Sequence, residues 1–131
     1  MKKYALSEGE WILMKAVWAT APCSLTSLVA TLDEETGWTK STIFVMLRRL
    51  IAKGAVSLDT STKIQTYSPL VDKEDCSVKA AESFLTKVYN GSLGLMVSSL
   101  AGQKALSKGE IDELRKILDE AERSLPEEDN K

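Results

Sequence analysis

Histidine is absent from the 131 residues, and the two cysteines, Cys23 and Cys76, lie far apart and outside any C-x-x-C spacing. Zinc and copper sites are built mainly from histidines and paired cysteines, so the sequence predicts no metal site. Both thiols are expected to be buried rather than redox-active. With no histidine and no nucleophile motif such as G-x-S-x-G, the sequence also argues against hydrolytic and acid–base catalysis. We therefore predict that the chain is not an enzyme and uses no cofactor.

Aromatic residues make up only 6% of the chain and fall within apolar patterns, which argues against a stacking surface for single-stranded nucleic acid. No stretch approaches about 18 consecutive apolar residues, and the N-terminal sequence lacks the apolar segment of a signal peptide. We expect a cytoplasmic protein with no membrane partner. With 44% hydrophobic and 27% charged residues, the chain suits a globular protein, and its length allows one ordinary domain or a small domain with a helical extension.

The net charge of the chain is −2, and the absence of a net positive charge by itself argues against a protein that binds nucleic acid. The distribution is nevertheless uneven. Residues 1–69 hold 8 Lys+Arg against 6 Asp+Glu, whereas residues 70–131 hold 9 against 13. Residues 38–69 alone hold five basic residues against the single acid Asp59. A local basic footprint of this kind is typical of a surface that binds nucleic acid.

That footprint coincides with the clearest helical pattern in the chain, in residues 38–54. Thr39 is suited to cap the N-terminus of a helix, and Gly54 lies where a glycine ends one. At 100° per residue the apolar residues share one face: Ile43, Met46, Leu47, Leu50 and Ile51. The opposite face is small or basic and holds no acid: Ser41, Thr42, Val45, Arg48, Arg49 and Ala52. This outward face favours an anionic partner.

Two helices are predicted before this stretch. Ser7 and Glu10 form a capping box that opens the first. Thr26 is expected to cap the second, and the polar residues 33–37 to form a turn into the third. Residues 23–25 are short and extended. Helix, extended rung, helix, turn and helix is the layout of a helix-turn-helix unit.

After the third helix the pattern changes to the alternation of β-strands. Residues 55–58 and 64–67 alternate apolar and polar side chains around a polar tip, 59–63. A hairpin directly after such a helix is a wing. The predicted fold is therefore mainly α with a small β-hairpin wing, and residues 1–70 form a winged helix-turn-helix domain.

Three further helices are predicted: one from Asp72 or Lys73 to about Tyr89, one over 93–101, and one after a second capping box of Ser107 and Glu110. Their apolar residues exceed what a 70-residue domain can cover, so a second copy of the chain is the simplest partner. We expect 71–131 to be a helical dimerisation region. The predicted interface residues are Phe84, Leu85, Val88, Leu93, Met96, Val97, Leu100, Leu114 and Ile117.

The third helix, about 40–53, is predicted to enter the major groove of double-stranded DNA with its N-terminal half, where Val45 suits a thymine methyl group. Arg48 and Arg49 lie further along and are expected to bind phosphate, and Lys63 at the hairpin tip is expected to contact phosphate or the minor groove. Their alternative role is to keep the surface solvated. The candidate DNA contacts are Thr39, Lys40, Ser41, Thr42, Val45, Arg48, Arg49 and Lys63. Trp38 is expected to be a packed anchor.

Two stretches resemble the penicillinase-repressor family of bacterial winged-helix regulators. The family opening Leu-x-x-x-Glu-x-x-[Val/Ile/Leu]-Met-x-x-x-Trp is matched by Leu6, Glu10, Leu13, Met14 and Trp18. The family pattern W-[ST]-x-x-T-[VI]-x-T-x-L-x-R-L-x-x-K-G is matched by Trp38, Thr39, Thr42, Ile43, Leu47, Arg49, Leu50, Lys53 and Gly54. The resemblance extends from about residue 6 to residue 118.

The resemblance implies a homodimeric transcriptional repressor on a dyad operator. Antibiotic-responsive members of the family are released when a sensor protease cuts an Asn-Phe bond, and the matching position here is Ser99-Leu100. Copper-responsive members carry paired cysteines near the C-terminus, which this chain lacks. Val45 replaces a family threonine and Phe44 is bulky for its position, which indicates an operator sequence of its own.

Two alternatives remain at this stage. One is a winged-helix domain used only for protein–protein contact, which the acid-free basic face disfavours. The other is a ligand-sensing regulator whose helices after residue 70 enclose an apolar pocket. The fold alone does not separate these from a DNA-binding repressor.

Overall fold

A computed structural model describes residues 5–126 of the chain. Within this range the backbone forms six helices and one antiparallel hairpin. The elements in chain order are α1 (Glu8–Thr20), α2 (Leu25–Thr36), α3 (Lys40–Lys53), β1 (Val56–Asp59), β2 (Thr66–Pro69), α4 (Lys73–Tyr89), α5 (Leu93–Gly102) and α6 (Lys108–Ser124).

The first two helices begin at serine caps. In α1 the predicted capping box is present: Ser7 Oγ accepts from the Glu10 N–H at 3.1 Å, and Glu10 Oε1 accepts from the Ser7 N–H at 2.9 Å. The prediction that Thr26 caps α2 is wrong. Ser24 and Ser27 form the same reciprocal pair, at 3.1 Å in each direction, so the helix begins before Thr26.

The connection between α2 and α3 is shorter than the predicted turn over 33–37. Residues 33–36 continue α2, and Gly37 ends it in the left-handed region with φ +66°. Thr36 Oγ1 donates to Leu32 O at 2.8 Å and accepts from the Trp38 N–H at 3.1 Å. Residues with a side chain rarely adopt this backbone conformation, so glycine lets the chain turn directly into α3.

Gly37→Ala is expected to lower the free energy of unfolding by about 1 kcal/mol. A Cβ atom at this position would have no neighbour within 4 Å, so the loss comes from backbone strain alone. Gly37→Asn should cost clearly less, because asparagine tolerates left-handed backbone. Urea unfolding of the three proteins measures both differences; equal losses for alanine and asparagine would contradict this explanation.

The core of the first part of the chain lies between α1, α2, α3 and the hairpin. Its largest fully buried apolar side chains are Leu13, Met14, Val17, Leu28, Ile43, Leu47, Leu50 and Val56. The predicted inward face of α3 is therefore confirmed, although Ile51 is only half-buried. Trp18 packs at the edge of this core, and its Nε1–H donates to Val71 O at 3.0 Å.

The hairpin pairs β1 with β2 from Val56 opposite Pro69 to Asp59 opposite Thr66. The second strand begins two residues later than predicted, which lengthens the polar tip. Cys23 forms the predicted rung: it exchanges two backbone hydrogen bonds with Tyr67, at 3.0 and 2.7 Å. Because Tyr67 belongs to β2, this rung attaches the hairpin to the segment before α2.

The chain divides into two compact units between Ala81 and Glu82, within α4. In the second unit, α4 ends where Asn90 and Gly91 adopt positive φ values of 53° and 82°. Neither α5 nor α6 contains a buried residue. Throughout residues 5–126, no helix combines the length and apolarity needed to cross a bilayer.

Candidate nucleic-acid interface

Helix α3 is held by its caps and by its buried face. Thr39 Oγ1 accepts from the Thr42 N–H at 3.2 Å, as its sequence position predicts. Gly54 ends the helix with φ +84°, and its N–H donates to Ile51 O at 3.0 Å. The backbone of α3 is therefore well defined, and the direction of each outward side chain follows from it.

The predicted DNA contacts of α3 all lie in solvent. The exposed residues are Thr39, Lys40, Ser41, Thr42, Val45, Arg48 and Arg49. Val45 is 52% exposed, although it is apolar. The outward face of α3 holds no carboxylate, so a polyanion can approach it without like-charge repulsion.

Two predicted contacts lie away from the centre of this face. Lys40 lines an open groove with residues of α2, among them Val29 and Asp33. Lys63 is exposed in the tip of the hairpin, where the Asp59 carboxylate accepts from the Ser61 N–H at 2.8 Å. Hydrogen bonds from the backbone N–H and the side chain of Ser61 hold the pKa of the Asp59 carboxyl below its usual value.

Lys53 serves the fold, and sequence reasoning had counted it in the basic footprint. Its Nζ donates to Glu10 Oε1 at 2.5 Å and to Ala5 O at 2.7 Å. The Glu10 side chain is only 1% exposed, and that of Lys53 is 28% exposed. The pair joins the end of α3 to the start of α1. The two residues are 43 positions apart, so no local pattern could have indicated the contact.

The Glu10 carboxylate is stabilised in its ionised form. Burial by itself raises the pKa of Glu10, but hydrogen bonds from Lys53 and from the Ser7 N–H, together with the charges of Lys53 and Arg49, bring it below the usual value. A buried carboxylate with these partners therefore stays charged at neutral pH.

Phe44 and Arg48 form a contact that sequence reasoning did not assign. The Arg48 guanidinium carbon lies 5.9 Å from the centre of the Phe44 ring, within the range of a cation–π interaction. Phe44 is 41% exposed on α3. The i, i+4 spacing of the two residues was the available signal, because such side chains are neighbours on a helix.

Trp38 behaves as the predicted anchor. It is half-buried and packs against the core. Two of its ring carbons lie 3.7 Å from where a Cβ on Gly9 would be, and Met46 Cε lies 3.2 Å from that point. The absence of a side chain at Gly9 thus gives α1 a close approach to the turn before α3.

The predicted dimerisation residues are half-buried or exposed within a single chain. Leu85, Met96, Val97 and Leu114 are half-buried. Those exposed are Phe84, Val88, Leu93, Leu100 and Ile117. The second unit therefore presents a large apolar surface.

The bond between Ser99 and Leu100 lies inside α5. The carbonyl of Ser99 accepts from the Gln103 N–H at 3.2 Å, and that of Leu100 from the Ala105 N–H at 2.9 Å. A protease binds its substrate in an extended form, so cleavage here would first require the end of α5 to unwind.

The model of the penicillinase repressor family matches residues 6–120, which include α1 to α5 and most of α6. The chain belongs to the penicillinase repressor family. The penicillinase repressor of Bacillus licheniformis is 35% identical over 121 residues, covering 92% of this chain and 94% of its own. The methicillin resistance regulatory protein MecI of Staphylococcus aureus is 32% identical over 117 residues, covering 89% and 95%.

Two solved structures resemble part of this family member. They are the solution structure of the DNA-binding domain of the repressor BlaI and that of the Bacillus licheniformis BlaI monomeric form in complex with the blaP half-operator. Each matches with a TM-score of 0.50 and 32% identity, covering 57% of this chain and 93% of the other. The chain is thus a DNA-binding repressor with a winged-helix domain, and the prediction that it is not an enzyme is confirmed by the repressors it resembles.

Proposed function

We propose that this repressor acts as a homodimer on a dyad operator in double-stranded DNA, with α3 of each copy in the major groove. The observation that carries the proposal is the outward face of α3, which is exposed, basic and free of carboxylates. A helix with its buried face in the core and this face in solvent has the width and the charge that the major groove accepts.

The roles of the outward residues follow from their positions along α3. Ser41, Thr42 and Val45 lie in the N-terminal half, which meets base edges first. Thr39 and the first free backbone N–H groups of the helix suit a phosphate, and Lys40 lies beside them. Arg49, further along, and Lys63 on the hairpin suit phosphates on either side of the groove. Arg48 is also a proposed DNA contact.

The second copy is proposed because of the apolar surface of the second unit. Helix α5 carries no charged residue, and no side chain of α5 or α6 is fully buried in the single chain. A symmetric partner would cover the same face on both copies at once. We accordingly assign residues 1–70 to DNA binding and 71–131 to dimerisation.

We also propose, from the family resemblance, that a sensor protease releases the repressor from its operator by cutting at Ser99-Leu100. A cut there would separate α6 from α4 and most of α5, so each half of the dimerisation region would lose part of its apolar contact. The helical hydrogen bonds across this bond make local opening of α5 the step that controls cleavage.

The first test is retardation of genomic duplex fragments, starting with the region upstream of the protein's own coding sequence, over a range of salt concentrations. We expect one fragment to resist competitor DNA, with two protected half-sites in a footprint and an affinity that falls steeply with salt. Absence of retardation at low salt would refute the proposal, because even non-specific binders hold DNA there.

Arg49→Ala is expected to weaken binding to all duplexes by a similar factor and to reduce the slope of log K against log[salt] by about 0.9 for each bound copy. A dimer on a full operator should therefore lose about twice this amount. Arg115→Ala removes the same charge from the exposed surface of α6 and should leave the slope unchanged. An unaltered slope in Arg49→Ala would remove Arg49 from the phosphate contacts.

A further inference from the structure

Phe44 is a large apolar side chain on the solvent side of the DNA-binding helix. It is 41% exposed, and its neighbour Val45 is 52% exposed. Among the groups that DNA offers in the major groove, only the C5-methyl group of thymine is apolar. A ring in this position therefore has a specific counterpart in the groove.

Arg48 extends back over Phe44, towards the N-terminal half of α3. Side chains on a helix cover the turn before their own Cα atom, and the guanidinium carbon of Arg48 lies 5.9 Å from the Phe44 ring centre. The charged group thus lies nearer to the part of the helix that enters the groove than the position of Arg48 in the sequence suggests.

The charges of the adjacent residues Arg48 and Arg49 affect different parts of the domain. Burial raises the pKa of Tyr67 in β2, and the charge of Arg48 opposes that rise. The charge of Arg49 instead acts on Glu10 in α1. Within residues 5–126, the salt bridges do not include Arg48. Its guanidinium lies over the Phe44 ring and is not held by a carboxylate of the described residues.

We propose that Phe44 and Arg48 form one base-reading unit: the Phe44 ring contacts the methyl group of a thymine, and Arg48 donates to O6 and N7 of a guanine within two base pairs of it. Base pairs are stacked about 3.4 Å apart, so the 5.9 Å between guanidinium and ring spans at most two steps. This inference rests on the proposed placement of α3 in the major groove, and it assigns Arg48 to a base rather than to a phosphate.

The thymine contact is tested by replacing each thymine of the protected half-site with deoxyuridine, which removes only the methyl group. We expect a position, distinct from any that Val45 contacts, at which uracil weakens binding of the unaltered protein about fourfold, the loss expected for one buried methyl group. Phe44→Ala should abolish the penalty at that position, and Val45→Ala should retain it. If no thymine loses its penalty in Phe44→Ala, the Phe44 assignment is wrong.

The guanine contact is tested with 7-deazaguanine, which lacks the N7 acceptor. A guanine within two base pairs of the uracil-sensitive thymine should show a penalty of about fivefold or more, within the range for a bidentate contact. Arg48→Ala should remove this penalty, and Phe44→Ala should reduce it because the guanidinium is no longer held. A uniform loss on all duplexes with a lower salt slope, and an unchanged penalty, would make Arg48 a phosphate contact.

Failure of this inference differs from failure of the proposed function. If the unaltered protein protects no half-site, the proposed placement of α3 fails. If it protects one but no base substitution interacts with Phe44→Ala or Arg48→Ala, only the base-reading unit fails. Both side chains are exposed, so thermal unfolding of the two variants should match that of the unaltered protein and exclude loss of the fold as the cause.

Discussion

Leu100→Glu is expected to convert the repressor to a monomer and to lower its affinity for a two-half-site operator about 100-fold or more. Leu100 is 38% exposed on a helix that carries no charge, and in the proposed dimer it meets another apolar surface. A carboxylate buried there without a partner is strongly unfavourable. Each half-site then binds alone, without the high effective concentration that the second copy provides.

Sedimentation and operator titration together measure this result. Binding to a duplex with one half-site should stay nearly unchanged, because the first unit is intact. Lys116→Glu is the matched control: it adds a carboxylate to α6 two residues from both Leu114 and Leu118, on the opposite side of the helix. A Leu100→Glu protein that still sediments as a dimer would show that α5 lies outside the interface.

Lys53→Met is expected to lower the free energy of unfolding by about 3 kcal/mol, near the lower end for a broken buried ion pair because Lys53 is partly exposed. The Glu10 carboxylate, 1% exposed, would keep only the hydrogen bond from the Ser7 N–H. The thermal midpoint should fall by more than about 10 °C. Glu10→Gln with Lys53→Met should recover most of the loss, because no buried charge is left unpaired.

The pH dependence of stability gives an independent measure of the same pair. The folded pKa of Glu10 lies below its unfolded value, near 4.5, so its contribution is complete above that pH and is lost as the pH falls through the folded pKa. The difference between the unaltered protein and Lys53→Met should therefore shrink in acid. A difference that is constant between pH 7 and pH 3 would show that the lost stability is not electrostatic.

Helix α3 shows how much local pattern can establish. Its caps, its buried face and its outward residues all followed from the spacing of a few side chains, because helix geometry fixes which positions share a face. The hydroxyl cap of Thr39 and the glycine at 54 act within one turn of their own position. Such short-range determinants are visible in the sequence.

The cap of α2 and the start of β2 were predicted wrongly, because both depend on side-chain hydrogen bonds and not on the apolar pattern. The sequence prediction named Thr26 as the cap of α2, whereas the observed cap is Ser24, which forms a reciprocal pair with Ser27. The second strand of the hairpin begins late because Asp59 and Thr62 hydrogen-bond within the tip, to the Ser61 N–H and to the Ile64 carbonyl. In both places a side-chain hydrogen bond to a residue two or three positions away sets the boundary, and the apolar–polar pattern does not include such bonds.

Contacts between distant parts of the chain were outside the reach of the sequence. The Glu10–Lys53 pair depends on how α1 and α3 pack, and a count of charges included Lys53 in the basic footprint without indicating that it pairs with Glu10. The apolar residues of α5 and α6 were predicted to need a cover, and none of them is buried in the single chain; periodicity does not indicate which molecule covers them. The Phe44–Arg48 contact required the observed direction of a long side chain.

The residues that hold α3 in place are different from the outward residues proposed to read DNA, and this separation affects how such regulators diversify. Its two caps, the Glu10–Lys53 pair and the buried face secure the helix without help from residues 41, 44, 45 and 48. These four positions can therefore be substituted together with little change in the free energy of unfolding, while the rest of the domain stays the same. Duplicated copies of such a gene could acquire separate target sites in few steps, and an engineer could redirect this chain by the same exchanges.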